Sequence, residues 1–137
     1  MADQITRQAK PADFDWVTTR HKCSLVQMFE AMKVMAERNV ATRNALIAGG
    51  GRTVCSFSTQ STDVFVVTGF GRGVSFCLCP DSIDVQSDQD TVTHLTLTLT
   101  DSADCKLKLG DDNLEPWQVM RRFLEPVLFF TPNQRGL

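Results

Sequence analysis

Residues 91–110 read TVTHLTLTLTDSADCKLKLG. Leu95, Leu97 and Leu99 alternate with His94, Thr96, Thr98 and Thr100, and residues two apart on a strand share a face. Cys105, Leu107 and Leu109 alternate with Lys106 and Lys108 in the same way. The stretch predicts an antiparallel hairpin with one apolar and one polar face. Pairing Thr100 with Asp104 leaves Asp101-Ser102-Ala103 as the loop. It also sets Leu99 against Cys105 and Leu97 against Leu107, with the threonines opposite the lysines. A slip by one residue would turn every leucine to water, so burial fixes the register.

Four more short runs precede this hairpin: RTVCSFS (52–58), DVFVVTGF (63–70), GVSFCLCP (73–80) and SIDVQS (82–87). They are rich in Val, Phe and Thr and punctuated by Gly, Asp and Ser. Their short connections favour antiparallel pairing, because parallel crossovers need a dozen residues or more. The expectation is an antiparallel sheet of five or six strands.

A helix is expected on each side of the sheet in sequence. Ser24 and Gln27 have capping-box spacing. Leu25, Met28, Phe29, Met32, Met35, Ala36, Val40, Leu46 and Ile47 follow at spacings that draw one helical stripe. Gly49-Gly50-Gly51 is the expected stop. Residues 24–47 would form a rod of about 36 Å. Near the other end, Glu115 or Asn113 can cap a second helix, with Pro116 in its first turn. Trp117, Met120, Phe123, Leu124 and Val127 form its apolar side, and Pro126 should kink or stop it. The fold class is therefore α+β: a long N-terminal helix, an antiparallel sheet, and a C-terminal helix packed on the same sheet face. One domain over 13–130 is expected, with a flexible arm at 1–12 and a tail at 131–137. Phe14 and Trp16 alternate with Asp13 and Asp15, which suits a short edge strand.

The chain has 137 residues, 14 basic and 16 acidic, for a formal net charge of -2. That balance argues against broad electrostatic binding to nucleic acid or an anionic membrane. No window approaches the roughly 18 apolar residues of a membrane span. The first residues lack a signal-peptide pattern. A cytoplasmic home is expected, where thiols stay reduced. A domain of this size can fold without a disulfide.

Cys77 and Cys79 are the first candidates for chemistry. On a strand their Cα atoms would lie about 6.6–6.8 Å apart, at the upper limit for a disulfide of about 6.8 Å. A bend at Pro80 could bring them into range. A zinc site would need His21-x-Cys23 as a second pair, and neither spacing is that of a zinc module. The bland reading is that the thiols pack as small hydrophobes. Ser75, Cys77 and Cys79 form a small-residue face that leaves room for a helix or a ligand pocket. Cys23, just before a helix start, is the one thiol placed for activation, with His21 or His94 as base. GFGRG (69–73) reads as a hairpin turn whose glycines supply positive φ, not a phosphate loop, because a strand follows it.

No catalytic constellation, metal set or cofactor fingerprint emerges. The strongest lead is FLEPVLFF (123–130), whose Phe123, Val127, Leu128, Phe129 and Phe130 need cover on two sides. Together with Trp16 they are candidates for a contact with a second subunit or a protein partner. The expected function is a non-enzymatic interaction module that acts as a homodimer. The alternative is a small-molecule-binding protein or enzyme, with a pocket for a small apolar ligand between helix and curved sheet.

Overall fold

The computed structural model describes residues 12–47, 54–87 and 91–129. The Gly49–Gly51 stop, Phe130, the tail at 131–137 and residues 1–11 of the arm lie outside them. The chain runs α1 (Trp16–Lys22), α2 (Leu25–Leu46), β1 (Cys55–Ser61), β2 (Val64–Gly69), β3 (Arg72–Leu78), β4 (Ile83–Ser87), β5 (Val92–Leu99), β6 (Cys105–Leu109), β7 (Asp112–Leu114) and α3 (Pro116–Leu128). The seven strands form one antiparallel meander in chain order. The α+β architecture holds with one strand more than the upper expectation. The extra strand is β7, which pairs with β6 through the turn at Gly110.

The Leu–Thr hairpin has the expected register. Leu99 lies opposite Cys105 and Leu97 opposite Leu107, with Thr98 against Lys106 and Thr96 against Lys108. The Thr100 N–H donates to Asp104 O at 2.9 Å, closing the loop. Ala103 takes the left-handed position there, at φ 65°.

Both long helices pack on one sheet face. Phe65 is fully buried at the centre of that layer. Its ring stacks on Phe76 of β3 at 4.7 Å and meets Phe29 of α2 at 5.2 Å and Phe57 of β1 at 5.6 Å. Phe76 in turn meets Phe123 of α3 edge-on at 6.3 Å. Met32, Ala36, Val67, Val74, Ile83, Val85, Leu95, Leu107, Val119 and Met120 complete the core.

α2 begins as expected: Ser24 Oγ accepts the Gln27 N–H at 3.2 Å. Its far end is tied to the first strand. Asn44 Nδ2 donates to Cys55 O at 2.8 Å and Asn44 Oδ1 accepts the Cys55 N–H at 3.0 Å. The amide thus serves as a surrogate strand neighbour for the edge strand β1.

α3 departs from expectation twice. It runs through Pro126 to Leu128. A mid-helix proline costs about 3 kcal/mol, but Val127 and Leu128 are buried beyond it, and each such side chain returns roughly 1.5–3 kcal/mol. Trp117, expected on the apolar side, is 57% exposed, and Val119 is buried in its turn. Glu115 is the N-cap; its N–H donates to Gln118 Oε1 at 2.8 Å, and Lys106 pairs with its carboxylate.

The GFGRG segment forms the hairpin turn expected of it, joining β2 to β3, with one of its positive-φ positions on a glycine. Gly69 is needed for space: a Cβ there would lie 2.9 Å from Val127 O of α3 and 3.0 Å from Cys55 Sγ. Positive φ falls instead on Phe70 (54°) and Gly71 (79°).

The segment expected as an edge strand is the helix α1. Asp15 Oδ1 accepts the Thr18 N–H at 3.0 Å, a helix N-cap that overrides the two-residue alternation of Phe14 and Trp16. Cys23, which follows α1, is joined to Cys105 of β6 by a disulfide. This corrects the expectation that all thiols are free and removes Cys23 as a nucleophile. The partners are 82 residues apart, so nothing local signals the bond.

Two stability tests follow. Phe65→Ala should cost about 3–5 kcal/mol in urea unfolding. Replacing Cys23 and Cys105 together with serine should cost about 2–4 kcal/mol and leave the sheet's far-ultraviolet circular dichroism intact.

Candidate functional site

A cleft of about 430 Å³ lies between the C-terminal half of α2 and α3. That volume lies within the range of ligand-binding clefts, about 300–1,000 Å³. Met35, Met120, Leu124 and Leu128 make its floor. Leu46, Trp117 and Phe129 flank it and are 70%, 57% and 50% exposed. Three large apolar side chains around one cleft form a patch of the kind that marks a binding site.

The rim carries Arg38, Arg43, Arg121 and Glu125. Arg121 Nε pairs with Glu125 Oε1 at 3.4 Å. Arg43 Nε donates to Leu128 O at 2.8 Å, and its guanidinium lies 4.3 Å from the Phe129 ring and 5.8 Å from that of Phe70. It rivets the end of α3 and the β2–β3 turn to α2. Arg38 is exposed and makes no ion pair among the described residues. The cleft is therefore apolar at its base and positive at its edge.

The C-terminal candidates divide. Val127 and Leu128 are 4% exposed and belong to the core; Phe123 is half-buried against it. Phe129 remains at the cleft edge. Trp16 lies far away in sequence on α1, 62% exposed beside Val17 at 59%. No residue of α1 is buried.

Ser75, Cys77 and Cys79 fall on the sheet face opposite the helices. The core face of β3 is that of Val74 and Phe76, so the helices approach the large residues rather than the small ones. Register places Val64, Cys77, Asp84 and His94 side by side across β2 to β5. His94 Nδ1 lies 2.7 Å from Asp84 Oδ1, and Ser82 Oγ donates to the same oxygen at 2.6 Å. Those hydrogen bonds, Ser82's first, hold the Asp84 carboxyl below the usual carboxylate range. Cys79 Sγ lies 3.4 Å from Asp84 Oδ2 and 3.8 Å from Cys77 Sγ. Desolvation, then the neighbouring thiol and the carboxylate, push the Cys79 thiol up to about 11. Among the described residues, no group of three or more His, Cys, Asp or Glu side chains is arranged to hold a metal ion.

Sequence reasoning missed both assemblies. The turn after Cys79, which lets Cys79 N donate to Ser82 O, was the available signal for pairing Cys77 with Asp84. The cleft had no such signal, because its walls come from α2 and α3, which lie far apart in sequence.

No family model, curated protein or solved structure matches the chain. No helix among the described residues is long and apolar enough to cross a membrane.

The rivet gives a test. Arg43→Met should lower stability by about 1.5–3 kcal/mol, the worth of a hydrogen bond to a charged group, as read by urea unfolding. Arg43→Lys should not restore it, because an ammonium lacks the planar fork that stacks on rings.

Proposed function

We propose that the chain is a non-enzymatic interaction module that pairs with a second copy of itself. Each copy lays the Trp16–Val17 face of α1 in the α2–α3 cleft of the other. The observation that carries this reading is α1 itself. It is a seven-residue helix that buries none of its residues, and helices so short are marginal without packing. Its exposed Trp16 and Val17 need cover.

The charge pattern favours this occupant. Asp13 and Asp15 closely precede Trp16 in sequence, and arginines dominate the cleft rim. Asp15 is held below the usual carboxylate range, chiefly by hydrogen bonds from Thr18, so it stays ionised while capping. α1 cannot serve its own cleft. Only Cys23 and Ser24 separate it from α2, and Cys23 is fixed to β6. The cleft begins at Met35, about 15 Å along α2 from its start at Leu25. Reciprocal docking gives a closed two-fold contact, the commonest symmetry of soluble oligomers.

The cytoplasmic home expected from the N-terminus is also a proposal, and the Cys23–Cys105 bond runs against it, because such bonds persist in oxidising compartments. Alkylation of free thiols at cell lysis decides it: a bond found intact would sink the cytoplasmic placement.

Sedimentation and native mass spectrometry over a range of concentrations test the pairing. The wild type should be a dimer whose affinity falls with salt. Trp16→Ala and Trp117→Ala should each weaken it by more than about tenfold, as central interface aromatics do, with little change in melting. A monomer at all concentrations, or a dimer indifferent to both changes, overturns the reading. A monomer that retains a small-molecule adduct would make the cleft a ligand pocket instead.

A further inference from the structure

The chain has five cysteines. Cys23 and Cys105 are joined, and Cys55 is fully buried against Gly69. Cys77 and Cys79 are the two partly exposed thiols that remain. They lie on the sheet face opposite the cleft, so this site stands or falls independently of self-pairing.

We propose that Cys77 and Cys79 form a thiol–disulfide exchange site, reduced in this structure, which closes to a Cys77–Cys79 disulfide at the expense of a low-molecular-weight disulfide such as oxidised glutathione. Three observations carry it. The sulfurs are already 3.8 Å apart. Cys77 is the second-last residue of β3, while Cys79 lies beyond the strand in the turn closed by its N–H to Ser82 O. The one residue between them, Leu78, ends β3 and holds its last rung, opposite Ile83, so closure bends the ladder only at its end. A third group, Asp84, faces Cys79 and is itself fixed by Ser82 and His94.

The geometry assigns the order of events. Cys79 can donate its S–H to Asp84 or to Cys77, so its proton is held. Cys77 attacks first: its thiolate bonds to one sulfur of the external disulfide, and the other sulfur leaves as a thiolate that takes a proton from water. Cys79 then loses its proton and attacks the Cys77 sulfur. The Cys77–Cys79 bond forms, and the bond to the external sulfur breaks to release a second thiol. The two cysteines lose two hydrogens in all, and the external disulfide is reduced to two thiols. Asp84 is a positioning residue: its negative charge keeps the second step slow near neutrality, because only the thiolate attacks.

Intact-mass spectrometry with peptide mapping tests this on the full chain treated with oxidised glutathione at mildly alkaline pH. The wild type should lose the mass of two hydrogens, mapped to a Cys77–Cys79 link and reversed by excess reduced glutathione. Cys79→Ser should stop at one glutathione carried on Cys77, whereas Cys77→Ser should stay largely unmodified. Circular dichroism checks that both variants fold. Asp84→Asn should speed ring closure several-fold near pH 7 and shift its pH profile to lower pH. No loss of hydrogen in the wild type, or a new link that involves Cys23, Cys55 or Cys105, overturns the proposal. Equal modification of both single variants overturns the order of attack, and an unchanged pH profile overturns the part given to Asp84.

Discussion

The stacked pair Phe65–Phe76 is the contact on which the rest of the structure hangs. Through it the rings of Phe29 and Phe123, one from each long helix, reach strands β2 and β3 of the sheet. Because both helices are held to the same two strands, they are also held beside each other. The cleft between them is a consequence. It opens where the helices extend past that aromatic centre, at the Arg38–Leu46 end of α2. The close approach of Val127 O to Gly69 sets how deeply α3 sits, and Arg43 locks the same corner from the other helix. Cleft and core are thus parts of one packing problem.

The sheet separates two chemistries. Its helix-covered face carries the aromatic layer, and its other face carries Cys77, Asp84 and His94 in one row. Strand alternation alone produces this division, since neighbouring residues such as Phe76 and Cys77 must point to opposite sides. A thiol pair on the uncovered face can change oxidation state without disturbing a ring in the core. The cost of bending falls on the Cys79–Ser82 turn and on the last rung of the ladder, at Leu78.

What could be read in advance was whatever depends on local pattern. The Leu–Thr hairpin was legible to the residue, because period-two burial admits one register. The start of α2 was legible from Ser24 and Gln27. α1 was misread because an Asp15 cap and a strand-like alternation compete over the same few residues, and hydrogen bonding to Thr18 wins. Pro126 misled because its local penalty is offset by the burial of two residues beyond it. The Cys23–Cys105 bond and the cleft were beyond reach, since each joins segments some eighty residues apart. The Cys77–Asp84–His94 row lies between these cases: each pairing follows from a short turn, but only three strands in register make it a site.

The disulfide and the unburied helix explain each other. α1 buries none of its residues, and a tether at Cys23 supplies what burial does not: it fixes where the helix emerges. Without that tether the two-residue link to α2 would let α1 sample many directions, and the entropy lost on docking would weigh against any contact it makes. Anchoring Cys23 to β6 removes part of that loss in advance. A short exposed helix held at a defined place by a covalent bond is better suited to presenting Trp16 than to supporting the fold. The core draws nothing from α1.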